Sequence, residues 1–83
     1  HSRVESRIVH TLIALSTKLG KRDKDGTGSR IFITRKELAD LTGTTPETAI
    51  RVTKALERSE ILDLSRPGIV RIPSLEALKE VAH

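Results

Sequence analysis

The sequence contains no cysteine, methionine, tryptophan or tyrosine, and Phe32 is its single aromatic residue. Without cysteine, a disulfide scaffold and thiolate metal sites are excluded, and the composition fits a reducing cytoplasm. With one aromatic ring, the chain lacks the several stacking platforms that proteins use to bind single-stranded nucleic acid. The remaining apolar residues are aliphatic, so the core must be built from Leu, Ile, Val and Ala.

Several function classes are also disfavoured. No apolar run approaches the roughly 20 residues that span a bilayer, which predicts a soluble protein without a membrane partner. No Ser/His/Asp grouping, phosphate-binding glycine loop or apolar carboxylate pair occurs, so neither an enzyme nor a cofactor site is expected. His1, His10 and His83 share no ligand spacing, so no metal site is expected. Residues 1–83 suffice for one small domain.

Positive charge is concentrated in one part of the chain. Residues 18–36 contain seven Lys or Arg against two Asp, a net charge of +5, whereas residues 37–83 contain six basic against eight acidic residues, a net charge of −2. This asymmetry favours one basic face and a polyanionic partner, although a merely solvated surface would give the same counts.

The first part of the chain predicts a helix and a hairpin. Ile8, Leu12 and Leu15 follow helical spacing in an apolar stripe, and Gly20 is suited to ending that helix. The polar stretch 21–30 contains two glycines and precedes a β-prone apolar triplet. This order predicts a short hairpin with a basic tip.

Two further helices are predicted from their capping residues. Thr34 with Glu37 three positions later forms a capping box, and Gly43 suits the left-handed residue that ends such a helix. Thr45 then caps a second helix over 46–58, which has proline at its first position, where a missing N–H costs little.

These segments together predict a winged helix-turn-helix. Residues 34–58 give two helices joined by a short glycine-containing turn, and Ala39 and Ala49 place small side chains where the helices must cross closely. Two extended stretches around a Ser-Arg-Pro-Gly turn in 61–72 predict a second hairpin, the wing, and Ser74 caps a last short helix. The predicted fold is α+β but mainly α, with a three-helix core and small β-hairpins.

The segment TRKELADLTGTTPETAIR from Thr34, followed by KALE from Lys54, resembles the C-terminal DNA-binding domain of Crp/Fnr-type bacterial transcription regulators. The resemblance covers nearly the whole chain. It implies a homodimer on a palindromic operator, held together by a missing N-terminal part, with residues 1–19 continuing a dimerisation helix. It also implies that the hairpin 21–30 can touch RNA polymerase. The effector of the missing sensory domain stays open.

In that family a Glu-Thr-x-x-Arg segment reads base edges, and it maps onto Glu47, Thr48 and Arg51. The chemistry agrees, because Arg51 can donate twice to guanine, Glu47 can accept from cytosine, and Ile50 can touch a thymine methyl. An ordinary i,i+4 ion pair between Glu47 and Arg51 is the structural alternative. Ile50 replaces a small residue found in many members, which puts the usual half-site in doubt, and Thr42 replaces an aliphatic residue, which weakens helix packing slightly.

Seven further residues are predicted to contact the DNA backbone. They are Arg35 and Lys36 at the start of the first helix, Thr44 and Thr45 at the N-terminus of the second, Lys54 and Arg58 along its exposed face, and Arg66 at the wing tip. Their alternatives are helix capping and solvated charge. The expected function is sequence-specific binding of double-stranded DNA, with helix 46–58 in the major groove. The rival interpretations are a winged helix that binds protein and an architectural protein that binds DNA without reading its sequence.

Overall fold

The computed structural model describes residues 3–82 as four helices and one small sheet. In chain order the elements are α1 (Arg3–Leu19), β1 (Lys21–Arg22), β2 (Ser29–Phe32), α2 (Arg35–Thr42), α3 (Pro46–Arg58), β3 (Ile69–Ile72) and α4 (Leu75–Val81). The predicted winged helix-turn-helix of the α+β, mainly α, class is confirmed. Two of the three histidines considered as metal ligands, His1 and His83, lie outside the described residues, as does the start of the helix predicted over 1–19.

The core is aliphatic, as the composition requires. Burying a Leu, Ile or Val side chain stabilises the fold by about 1.5–3 kcal/mol. Eleven buried residues form one cluster: Ile8, Val9, Leu12, Ile31, Ile33, Leu38, Val52, Leu62, Val70, Ile72 and Leu78. The side chain of Phe32 is 60% exposed and does not belong to this cluster. No helix within residues 3–82 has both the length and the apolar character needed to cross a membrane.

The start of α2 and the turn that follows it have the predicted geometry. The Thr34 side chain accepts a hydrogen bond from the Glu37 N–H at 3.0 Å, and the Thr34 N–H donates to Glu37 Oε1 at 2.9 Å. Gly43 ends α2 in the left-handed region, with φ 68° and ψ 35°. The chain therefore reverses within three residues and enters α3.

Small residues allow α2 and α3 to pack closely. Ala39 and Ala49 are both completely buried in this contact. Thr42 is also buried, and its hydroxyl donates to the carbonyl oxygen of Leu38 at 2.7 Å, so its polar group is satisfied inside the helix. The Arg7 side chain reaches from α1 and donates from Nε to the Thr42 carbonyl at 3.1 Å, which satisfies a carbonyl at the end of α2.

The three strands form one antiparallel sheet in the order β1-β2-β3. The hairpin predicted over 21–30 is present, since Lys21 pairs with Arg30 in β2. β3 pairs along the other edge of β2, with Phe32 opposite Ile69. The two predicted hairpins are thereby joined into a single sheet.

The wing predicted over 61–72 is a hairpin only in part. Its second half is β3, but residues 61–64 form no strand and contribute a single antiparallel bridge between Asp63 and Arg71. Side-chain acceptors take the backbone N–H groups that a longer ladder would use, because Leu64 N donates to Glu57 Oε2 at 2.8 Å and Ser65 N donates to Asp63 Oδ1 at 2.9 Å. The wing is therefore a loop over a narrow base.

Candidate nucleic-acid interface

Helix α3 is amphipathic, and because one face is buried against the domain, the opposite face points into solvent. Thr45 caps the helix and accepts a hydrogen bond from Thr48 N at 3.3 Å. Ala49, Val52 and Thr53 are buried against the rest of the domain. Thr53 was not predicted to be buried, and its hydroxyl is accommodated by donation to the Ala49 carbonyl at 2.7 Å.

The opposite face of α3 projects into solvent, and we call it the exposed face. Side chains three and four positions apart share one side of a helix. This face consists of Glu47, Ile50, Arg51, Lys54 and Arg58, all of which are exposed. Three of the four residues predicted to read bases thus lie together, and the fourth, Thr48, is half-buried beside them.

The side chains of Glu47 and Arg51 do not pair with each other. Within residues 3–82, neither side chain forms an ion pair or a hydrogen bond. The i,i+4 ion pair considered from the sequence is therefore not formed in this structure. Both polar groups remain available to an external partner, together with the Ile50 side chain, which is 41% exposed.

The threonines around the start of α3 divide their roles. The Thr45 hydroxyl caps the helix and also donates to the Thr48 hydroxyl oxygen at 3.0 Å. The capping role considered for Thr45 is therefore confirmed. The Thr48 hydroxyl accepts this bond and keeps its own proton for another acceptor. Thr44 lies half-buried in the turn just before the helix.

The two basic residues at the start of α2 differ in exposure. The Lys36 side chain is 78% exposed and lies 3.6 Å from Asp40 through an Nζ–Oδ2 ion pair. Such a surface pair contributes only a few tenths of a kcal/mol, so a phosphate can compete for the lysine. Arg35 is half-buried, and its Nη1 is enclosed without a hydrogen-bond partner among the described residues. Lys36 is therefore the more accessible of the two.

The wing and the first hairpin carry further exposed cations. Arg66 is exposed in the loop before β3, where Gly68 adopts φ 74°. Lys21, Arg22 and Lys24 are exposed on the first hairpin, which agrees with a basic tip. Within residues 3–82, no group of three or more His, Asp or Glu side chains is arranged to hold a metal ion.

Sequence reasoning missed a group of interacting charges beneath the wing. Asp23, in the first hairpin, accepts a hydrogen bond from Arg71 in β3 and forms an ion pair with it, and Arg71 also lies near Asp63 at the base of the wing. These partners are up to 48 positions apart. No local pattern in the sequence pairs them.

The comparisons with known proteins identify the domain type. Residues 6–81 match the family model described as the Crp-like helix-turn-helix domain. No curated protein sequence matches the chain. The solved structures that resemble it are longer proteins, and the chain covers 37–41% of the length of the three described next.

Three solved structures illustrate the similarity. A CRP/FNR-family transcriptional regulator from Thermus thermophilus is 29% identical, with a TM-score of 0.84 over 98% of this chain and 41% of its own length. CprK complexed with OCPA is 27% identical, with a TM-score of 0.79 over 96% of this chain and 38% of its own. The imidazole-bound CO-dependent transcription factor CooA from Carboxydothermus hydrogenoformans, at 19% identity, shares the fold with a TM-score of 0.85 over 98% of this chain and 37% of its own. The chain therefore belongs to the family of Crp-like helix-turn-helix domains, the DNA-binding domain type of CRP/FNR transcription regulators.

Proposed function

We propose that the domain binds double-stranded DNA in a sequence-specific manner, as the output domain of a Crp/Fnr-like regulator, with α3 in the major groove. The chief support is the exposed face of α3, on which Glu47 and Arg51 have no partner within residues 3–82. The major groove of B-DNA is about 12 Å wide and admits one helix. A helix whose inner face is buried against the domain, and whose outer face carries unpaired polar groups, suits that groove.

In this proposal, three side chains of the exposed face read base edges. Arg51 donates two parallel hydrogen bonds to O6 and N7 of a guanine, and Glu47 accepts from N4 of a cytosine. Ile50 contacts the methyl group of a thymine. Thr48, whose hydroxyl keeps a free proton, donates to a base or to a nearby phosphate oxygen.

The remaining contacts go to the DNA backbone and set the register. Lys54 and Arg58 follow the reading residues along α3, and Thr44 and Thr45 place hydroxyl and N–H groups at its N-terminus. Lys36 exchanges its weak ion pair with Asp40 for a phosphate. The other backbone contacts proposed are Arg35, at the start of α2, and Arg66, on the wing.

The whole protein is proposed to act as a dimer on a palindromic site. Two copies of α3 would then enter the groove about 34 Å apart, which is one turn of the double helix. The dimer would be held by parts of the protein outside this chain. One domain of this size buries only about 600–1,000 Å² on DNA, so the isolated domain is expected to bind weakly. The hairpin 21–30 remains the proposed contact with RNA polymerase.

The test is a titration of fluorescent duplex DNA, first of mixed sequence and then carrying a selected site, at two or more salt concentrations. Arg51→Ala is expected to cost about 1–3 kcal/mol on the selected site and to relax one base position. Lys54→Ala is expected to weaken all sequences alike and to lower the salt slope by about one. Lys79→Ala on α4 removes the same charge outside the proposed interface and is the matched control.

The outcomes separate the proposal from its rivals. Binding that falls steeply with salt and is weakened by Arg51→Ala only on the selected site supports sequence-specific reading. Equal affinity for all duplexes, with Arg51→Ala and Lys54→Ala behaving alike, would instead indicate an architectural DNA-binding protein. Absence of binding at low salt would contradict the proposal and favour a protein partner for the exposed face.

A further inference from the structure

Asp23 is an acidic residue in the most basic part of the chain, and its carboxylate faces inward. Its side chain is only 16% exposed. Oδ2 accepts from Arg71 Nε at 2.9 Å and lies 2.7 Å from Arg71 Nη2, while Oδ1 lies 3.6 Å from Arg30 Nε. Two nitrogens of one guanidinium thus converge on a single carboxylate oxygen, and charge-assisted contacts of this kind are stronger than neutral hydrogen bonds.

Arg71 connects this carboxylate to the base of the wing. Its backbone N–H donates to the Asp63 carbonyl at 3.0 Å, and its carbonyl accepts from the Asp63 N–H at 2.9 Å. Its Nη1 lies 3.9 Å from Asp63 Oδ2. The other carboxylate oxygen of Asp63 accepts from Ser65 N and so shapes the first residues of the loop. Asp23, Arg71 and Asp63 form a chain of contacts from the first hairpin to the wing, which we call the wing clasp.

The wing lies directly beside the clasp and has little backbone support of its own. A cavity of about 250 Å³ is lined by the clasp residues together with Arg30, Ser65, Arg66 and Ile69. The loop is closed by a single turn bond from Ile69 N to the Arg66 carbonyl at 3.2 Å, above the one bridge between Asp63 and Arg71. A loop on so narrow a base takes its orientation from the side chains that hold the base.

The first hairpin is itself held firmly enough to serve as an anchor. Asp23 N donates to the Gly28 carbonyl at 2.9 Å, and Gly26 N donates to the Asp23 carbonyl at 2.9 Å. Gly28 is packed so closely that an added Cβ would lie 2.8 Å from Asp23 Oδ2 and 2.8 Å from the Ile72 carbonyl. The backbone of Asp23 is therefore fixed relative to β3.

We propose that Asp23 is a positioning residue for DNA binding: by holding Arg71 through the wing clasp, it orients the wing and thereby presents Arg66 to a phosphate. This inference rests on the proposed function. It assigns a DNA-related role to a half-buried acid that lies outside the proposed DNA-contacting residues. It also gives the first hairpin a second role, that of anchoring the wing, which is separate from the role of its exposed basic tip.

The sign of the effect distinguishes positioning from plain electrostatics. Asp23→Asn raises the net charge of the chain from +4 to +5, and an added positive charge alone strengthens binding to a polyanion. Positioning predicts the reverse, because a misdirected wing loses its phosphate contact. The expected loss is about three- to tenfold in affinity, with a salt slope lower by about one.

The matched control is Asp25→Asn, which makes the same charge change in the same hairpin. Asp25 accepts only from the backbone and hydroxyl of Thr27 among the contacts of the described chain, and asparagine can keep that turn. The affinities of both variants, of Arg66→Ala and of the double variant D23N/R66A are measured on one duplex. Asp23→Asn and Arg66→Ala are expected to weaken binding by similar factors that do not multiply in the double variant, while Asp25→Asn binds as well as the wild type or better.

A second readout needs no DNA. Amide hydrogen exchange and ¹⁵N relaxation of residues 65–68 are compared in the free wild type and in both asparagine variants. Asp23→Asn is expected to increase motion and exchange in these residues while the amides of α3 stay unchanged, and Asp25→Asn is expected to change neither. If the wild type failed to bind DNA, the proposed function would fail, yet these amides would still report whether the clasp holds the wing.

Two results would overturn the inference. One is tighter binding by Asp23→Asn, equal to that of the control, with unchanged wing amides. The other is global unfolding of Asp23→Asn in far-UV circular dichroism, since this would give Asp23 a role in the stability of the whole fold instead of the wing. Asp23→Ala, which removes the acceptor entirely, is expected to enlarge each effect of the asparagine variant.

Discussion

Gly43 lies between α2 and α3 with φ 68°, in the left-handed region. A Cβ built at this position would meet no atom within 4 Å. A side chain is therefore opposed by the backbone conformation alone, which costs an L-residue about 1–2 kcal/mol, and asparagine less than most. Gly43→Ala is expected to lower the free energy of unfolding by about 1–2 kcal/mol, and Gly43→Asn by a smaller amount.

The assay is thermal unfolding followed by far-UV circular dichroism. A domain of this size shifts its Tm by about 4–8 °C for each kcal/mol, so the difference is readily measured. Gly28 provides the control, because a Cβ there would lie 2.8 Å from the Asp23 carboxylate and 2.8 Å from the Ile72 carbonyl. Crowding makes asparagine worse than alanine at Gly28, the reverse of the order at Gly43. An alanine variant of Gly43 as stable as the wild type, or the same order at both sites, would refute the reasoning.

Two further predictions concern a buried hydroxyl and an acid. Thr53 donates to a carbonyl within its own helix, so Thr53→Val should change the free energy of unfolding in urea by about 1 kcal/mol or less. Leu38→Ala, which leaves a cavity in the core, should lower it by about 2–5 kcal/mol. Similar losses for the two variants would contradict this prediction. The pKa of Asp63 is lowered by hydrogen bonds from the Ser65 backbone and side chain and by the charge of Arg71. The ionised form of Asp63 therefore stabilises the fold above the unfolded pKa of about 3.9. That stability is lost as the pH falls through the lower folded pKa. Between about pH 6 and pH 2, the Tm of the wild type should therefore fall further than that of Asp63→Asn; equal falls would count against the assignment.

Helix ends could be predicted because their causes are local. The capping box of Thr34 and Glu37, the cap at Thr45 and the left-handed Gly43 each depend on residues within four positions. The start of α3 follows directly from such signals. The exposed face of α3 was predictable for the same reason, since helical spacing alone places Glu47 and its neighbours on one side.

Contacts between distant segments were not predictable. Nothing local indicates that β3 pairs with β2, or that Asp23 meets Arg71 from 48 positions away. The strand expected at 61–64 is missing because side-chain oxygens of Glu57 and Asp63 take backbone N–H groups there. The burial of Thr53 was not predicted, because a hydroxyl group suggests an exposed position. Inside a helix, however, a buried hydroxyl can donate to the carbonyl four residues earlier, as Thr53 does.

Helix α1 contacts α2, α3, α4 and β2, and Arg7 fastens it to the carbonyl of the last residue of α2. Mechanically, α1 and the rest of the domain form one body, because Ile8, Val9 and Leu12 of α1 lie in the core cluster. α1 has 17 residues and at about 1.5 Å per residue is about 25 Å long, so a tilt of about 10° about one end moves the other end by about 4 Å. A small change in the direction of α1 would displace the whole exposed face as one body, by a distance comparable to the spacing of neighbouring base pairs.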